Sequence, residues 1–131
     1  MERHEKLENY INKCNSRKFV WGDNDCCTFA SNWVEELTGA NPLEELGYYG
    51  KYTTREDAEK LLELLGGVEE IVDGKLGDST IPAFAIAGDL VCGDLDHGET
   101  LGICLGVESA FLGTHRIITR KTLDMKKIWR V

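Results

Sequence analysis

Apolar residues recur at two periods in this chain, a helical one up to about residue 67 and a two-residue one from Gly88 onward, so helices are expected first and strands second. Leu7, Tyr10, Ile11 and Cys14 fall at i, i+3, i+4 and i+7 and predict an amphipathic helix over residues 2 to about 15 with a charged outer face. Residues 16–24 connect it to a second helix over 26–38, whose apolar stripe is Phe29, Ala30, Trp33 and Leu37. Asp25 is a preferred N-cap, Gly39 a preferred terminator, and Asn41-Pro42 blocks continuation. After an aromatic loop from Gly47 to Tyr52, Thr53-Thr54-Arg55-Glu56 has the form of a capping box that pairs Thr53 with Glu56. It opens a third helix, which buries Ala58, Leu61, Leu62 and Leu65 and stops at Gly66-Gly67.

Past Gly88, Leu90 and Cys92 alternate with Asp89 and Val91, and Leu101, Ile103, Leu105 and Val107 alternate with Gly102, Cys104 and Gly106. Two antiparallel strands joined through residues 94–99 are predicted. Glycine weakens a strand, so Gly102 and Gly106 on one face mark the close approach of another element, for which the Cys26 helix is the candidate. A third strand over 115–120 follows a turn near Gly113, and Ile128 and Trp129 close the core. The predicted fold class is α+β, with N-terminal helices packed on a small antiparallel sheet in one domain spanning 1–131.

Composition narrows the function. With 131 residues and 42% hydrophobic content, the chain can bury a core without disulfide or metal support. Its longest run free of Asp, Glu, Lys and Arg is residues 79–88, too short to span a bilayer, and the charged start Met1-Glu2-Arg3-His4-Glu5-Lys6 is unlike a signal peptide. No membrane partner is expected. Five cysteines without a Cys-x-x-Cys pair suit a reducing compartment, and with three scattered histidines they do not form a zinc set, so neither metal nor other cofactor is expected. A net charge of −8 opposes nucleic-acid binding and is compatible with a basic protein partner. Glu69, Glu70, Asp73 and Asp78 form either a cation site or, as is commoner, a solvated acidic face.

The chemistry centres on Cys26. A cysteine in the first turn of a helix meets unpaired backbone N–H groups and the positive end of the helix dipole, which favour the nucleophilic thiolate. Asp23 and Asp25 oppose that shift, so a modest one is expected. The plain alternative is that Cys26 and Cys27 are small apolar residues packed under a helix end. Tyr48, Tyr49 and Tyr52 either line a peptide or glycan groove or cap the core.

Trp21, Gly22, Asp25 and Cys26, then Gly88-Asp89-Leu90-Val91, then Gly102, Ile103, Leu105 and Gly106 resemble, in this order, three motifs of the NlpC-like cell-wall peptidases, a papain-like family. The resemblance implies a papain-like fold with Cys26 as nucleophile. It also implies a histidine base immediately before Leu101 and a third polar residue near 112, but these positions hold Thr100 and Leu112. His97 and His115 are the candidate substitute bases. The double cysteine, the 52–67 helix and the terminal Trp129-Arg130-Val131 resemble, over nearly the whole chain, a family of small phage and prophage proteins that accompany tail genes.

From these resemblances the first expectation is a degenerate NlpC-like domain acting as a phage or prophage structural or assembly protein, associated with the tail and without hydrolase activity. Its partners would be tail components, and its ligand a peptide or cell-wall peptide. It would reside in the host cytoplasm, with incorporation into a virion as the extension. The alternatives are an active cysteine hydrolase or amidase on cell-wall peptides, using Cys26 with backbone N–H groups as oxyanion donors, and a small acidic inhibitor of a basic host protein.

Overall fold

The computed structural model describes residues 2–95 and 98–131. Five helices, α1 (Arg3–Asn15), α2 (Cys26–Thr38), α3 (Pro42–Glu45), α4 (Arg55–Leu64) and α5 (Val68–Leu76), precede strands β1 (Leu90–Leu95), β2 (Gly98–Cys104), β3 (Glu108–Leu112), β4 (Ile117–Lys121) and β5 (Lys127–Trp129). The strands form one antiparallel sheet in the order β4-β3-β2-β1-β5. The fold is α+β, as the change of period implies.

One face of the sheet carries Leu90, Leu101, Ile103 and Trp129 against Leu7, Tyr10, Phe29 and Trp33 of α1 and α2. The opposite face packs Val91, Cys104, Phe111, Met125 and Ile128. Ile128 and Trp129 are fully buried, one on each face. Residues 88 and 89 tie the layers together. The Trp33 indole donates to the Gly88 carbonyl at 2.7 Å, and the buried Asp89 carboxylate accepts from Arg3 at 3.2 Å, from Arg130 at 3.1 Å and from the Ile86 N–H at 2.9 Å. A charge this deep is tolerated because guanidinium groups and a backbone donor share it. Asp89 thereby fastens both ends of the chain to the start of β1.

The structure corrects several expectations. The alternation through Leu105 and Val107 does not continue the strand: β2 ends at Cys104, Gly106 turns the chain at φ 124°, and the Leu105 N–H meets the Glu108 carbonyl in a tight hairpin. Leu105 and Val107 are therefore exposed. The hairpin leads into β3, a strand the period did not reveal, and the predicted 115–120 strand begins two residues later as β4. Gly102 is needed by the aromatic ring of Phe111 and the Ala110 carbonyl, which a Cβ would strike, whereas α2 packs on the bulky Leu101 and Ile103 face. Nothing crowds Gly106. The N-cap of α4 is Thr54, whose hydroxyl accepts from the Asp57 N–H at 3.1 Å, in place of the Thr53–Glu56 pair. Helices α3 and α5 were not predicted, and within α4 Ala58 alone is buried, because Leu61 and Leu62 face a cleft.

Candidate functional site

The start of α2 is built by its own sequence. Asp25 is extended (φ −124°, ψ −174°) and its carboxylate accepts from the Thr28 N–H at 2.9 Å, while the Thr28 hydroxyl accepts from the Asp25 N–H at 2.7 Å. The other carboxylate oxygen takes the Gly22 N–H at 2.8 Å. Gly22 has φ 83° and lies against the Tyr52 carbonyl, where no side chain fits. The Tyr52 hydroxyl also bonds to Asp25. The Trp-Gly-x-x-Asp spacing is thus the mechanical requirement of a turn that presents Cys26 at a fixed place.

Cys26 and Cys27 are half-buried and line a cleft of about 900 Å³ between the helices and the sheet. Three donors meet the Cys26 sulfur: the Cys27 thiol and the backbone N–H groups of Leu101 and Cys27. The Leu101 donor is available because β2 pairs with β3 at Ile103 and Cys104 only, leaving the earlier part of that edge open. Chiefly through the Cys27 thiol, these bonds hold the Cys26 pKa below the usual thiol value, against burial and the Asp25 charge. Cys27 is pushed the other way, first by its bond to Cys26 and then by burial, and stays a thiol. Burial raises the Tyr52 hydroxyl as well, so it also keeps its proton. The remaining cysteines differ in kind. Cys14, Cys92 and Cys104 are buried, and burial raises Cys14 and pushes Cys92 up to about 12.

The cleft also takes in Thr100 and Leu112. Thr100 is half-exposed with its hydroxyl donating to the Gly98 carbonyl at 3.0 Å, and Leu112 is buried in β3. Of the candidate bases, His115 is exposed and does not line the cleft, and His97 lies outside the described residues. Neither His115 nor His4 is among the groups acting most strongly on Cys26. Trp21, stacked edge-on against Phe19 at 4.8 Å, forms part of the wall with Tyr48 and Tyr52. Tyr52 serves both readings of the aromatic loop, since it is buried and lines the cleft.

The acidic residues do not converge. Glu69 pairs with Lys127 at 2.7 Å, which holds its carboxyl below the usual range, and Asp73 accepts from the Trp129 indole at 2.8 Å. Glu70 and Asp78 are exposed. Among the described residues, Glu2, His4 and Glu5 are the one group close enough to share a metal ion, and all three are exposed on the first turn of α1 or beside it.

Cys27, Tyr52 and the Leu101 N–H are the functional groups that sequence reasoning did not attach to Cys26. The doubled cysteine was a visible signal. The β2 donor had none, because a backbone group acquires its role only through strand pairing.

Over residues 1–131 the chain matches the family described as a domain of unknown function, DUF6950. It belongs to that family. None of the curated proteins compared with this DUF6950 chain matches it. No helix of the DUF6950 domain described here is long and apolar enough to cross a membrane.

Proposed function

We propose that this chain is a degenerate NlpC-like, papain-like domain that serves as a tail-associated structural or assembly protein of a phage or prophage, and that its Cys26 cleft binds an extended peptide of a partner without cleaving it. One observation carries the reading: Cys26, Thr100 and Leu112, the positions that the resemblance assigns to nucleophile, base and third residue, all line one cleft, and two of the three lack the chemistry a peptidase needs there. A threonine hydroxyl does not accept a thiol proton near neutral pH and a leucine orients nothing. General acid–base assistance is worth roughly 10² to 10⁴ in rate, and its loss leaves a very slow peptidase.

The test has two arms. Turnover of cell-wall peptides by the wild type should equal that of Cys26→Ala, while Thr100→His should gain a Cys26-dependent activity if the cleft is intact. In an induced phage stock, deleting the chain should leave particles with defective tails, and Cys26→Ala should rescue them. Normal tails without the chain would refute the assembly role.

A second reading, a working cysteine hydrolase, is favoured by the thiolate-leaning Cys26 and the backbone donors around it. Wild-type cleavage abolished by Cys26→Ala would establish it, and loss in His97→Ala or His115→Ala would name the base.

A further inference from the structure

The cleft holds a second sulfur for which the peptide-binding reading has no use. Cys26 and Cys27 are adjacent free cysteines, half-buried and open to the same 900 Å³ space, and each is the strongest influence on the other's protonation. The other three cysteines are buried in the core, with Cys14 on α1 and Cys92 and Cys104 in strands. Any redox chemistry of the cleft is therefore confined to this pair. We propose that Cys26 and Cys27 form a dithiol that exchanges with disulfides entering the cleft, Cys26 attacking and Cys27 resolving.

The steps balance with a substrate disulfide as the oxidant. The Cys26 thiolate attacks one sulfur of R–S–S–R′, a Cys26–S–S–R bond forms, and R′–S⁻ leaves and takes a proton from water. Cys27 then gives its proton to water and its sulfur attacks the Cys26 sulfur, expelling R–S⁻, which is protonated in turn. The products are two thiols and a Cys26–Cys27 disulfide. Adjacent Cα atoms are about 3.8 Å apart, shorter than the spacing of an ordinary disulfide, so the ring is strained and readily reduced. The pair occupies the first two positions of α2, next to the Thr28 N–H that the Asp25 carboxylate caps at 2.9 Å. The substrate is a disulfide with an apolar or aromatic substituent, given the wall of Phe19, Trp21, Tyr48 and Tyr52. Access to the cleft is the sole element shared with the functional reading above. A peptidase or tail phenotype leaves this chemistry unaffected.

The probe is an aromatic disulfide whose released thiol absorbs light, added to folded protein. Wild type should release two equivalents, retain no label and lose two hydrogens by intact mass, with non-reducing peptide mapping locating a Cys26–Cys27 link. Cys27→Ser and Cys27→Ala should each release one equivalent and keep one label on Cys26. Using both variants guards against a folding defect in either one. Cys26→Ala should react much more slowly at Cys27. A wild type that retains one label on Cys26, or one on each cysteine, overturns the proposal, as does a link to Cys14, Cys92 or Cys104.

Discussion

Replacing Asp25 separates its work as a cap from its effect as a charge. Its side chain is 1% exposed as a residue and accepts from the Thr28 N–H at 2.9 Å, the Gly22 N–H at 2.8 Å and the Tyr52 hydroxyl. Asp25→Ala removes the helix cap, which costs about 1 kcal/mol. It also strands the buried Gly22 N–H, and an unsatisfied buried donor costs about 1–3 kcal/mol. Tyr52 keeps Cys27 as its other partner. The sum is about 3 kcal/mol, a large part of the roughly 5–15 kcal/mol that holds a domain together. Asp25→Asn keeps one acceptor oxygen and should lose about half as much.

The charge acts in the opposite sense on the thiol. Asp25 opposes the Cys26 thiolate, so Asp25→Asn should shift the midpoint of Cys26 alkylation to lower pH. Urea unfolding followed by far-ultraviolet circular dichroism measures the first effect, and peptide-mapped alkylation over pH the second. An alanine variant within about 0.5 kcal/mol of wild type would refute the cap assignment, since that is the scatter of neutral surface changes. An upward shift in the asparagine variant would refute the electrostatic half.

Two further outcomes are expected. Gly22→Ala should unfold the domain or cost more than about 3 kcal/mol, because its φ of 83° is strained for alanine and its Cβ would overlap the Tyr52 carbonyl, whereas Gly39→Ala, at φ 85° in open space, should cost about 1 kcal/mol, both read from urea midpoints. Stability should fall in alkali: burial raises Cys92 from its ordinary value near 9 to about 12, so the neutral thiol's contribution is complete below pH 9 and is lost as the pH climbs toward 12. Cys92→Val keeps an apolar side chain at that site in β1 and should flatten the decline in urea midpoint across that interval, and an unchanged slope would assign the alkaline loss to other groups, among them the buried Tyr10 and Tyr52 hydroxyls.

What could be read from the sequence was what neighbouring residues decide. Helix α2 has its predicted bounds because Asp25 and Gly39 supply both ends locally. For α4 the pattern pointed to Thr53, and side-chain geometry, invisible to the pattern, selected Thr54 instead. Val68, Ile71, Val72 and Leu76 have helical spacing, but α5 is flanked by Gly67 and Gly77 and interrupted by Gly74, which hid it. In β3, Ala110 and Leu112 face the helices while Phe111 faces the opposite layer, so burial on both sides erased the polar alternation that marks a strand. The Trp21 to Cys26 motif was legible as a capped helix start, yet the close packing of Gly22 on Tyr52 joins segments thirty residues apart and had no local signature.

That long-range packing sets the chemistry the site can support. Among the described residues, the groups that poise Cys26 are a thiol and backbone N–H groups, all of them donors. Donors stabilise a thiolate without removing its proton to a partner that later returns it. Backbone amides keep their hydrogens, the bond to Cys26 and burial keep Cys27 protonated, and burial keeps the Tyr52 hydroxyl protonated. An amide substrate needs a proton for its departing amine, whereas a disulfide sends off a thiolate that needs none from the protein. Under the proposal, Cys26 therefore acts on sulfur and not on an amide. Comparing Cys26 reactivity toward a disulfide and toward a peptide ester of good leaving ability measures this selectivity directly: the disulfide should react fast, the ester measurably, and the corresponding amide should show no Cys26-dependent cleavage, and Cys26-dependent amide cleavage would refute it.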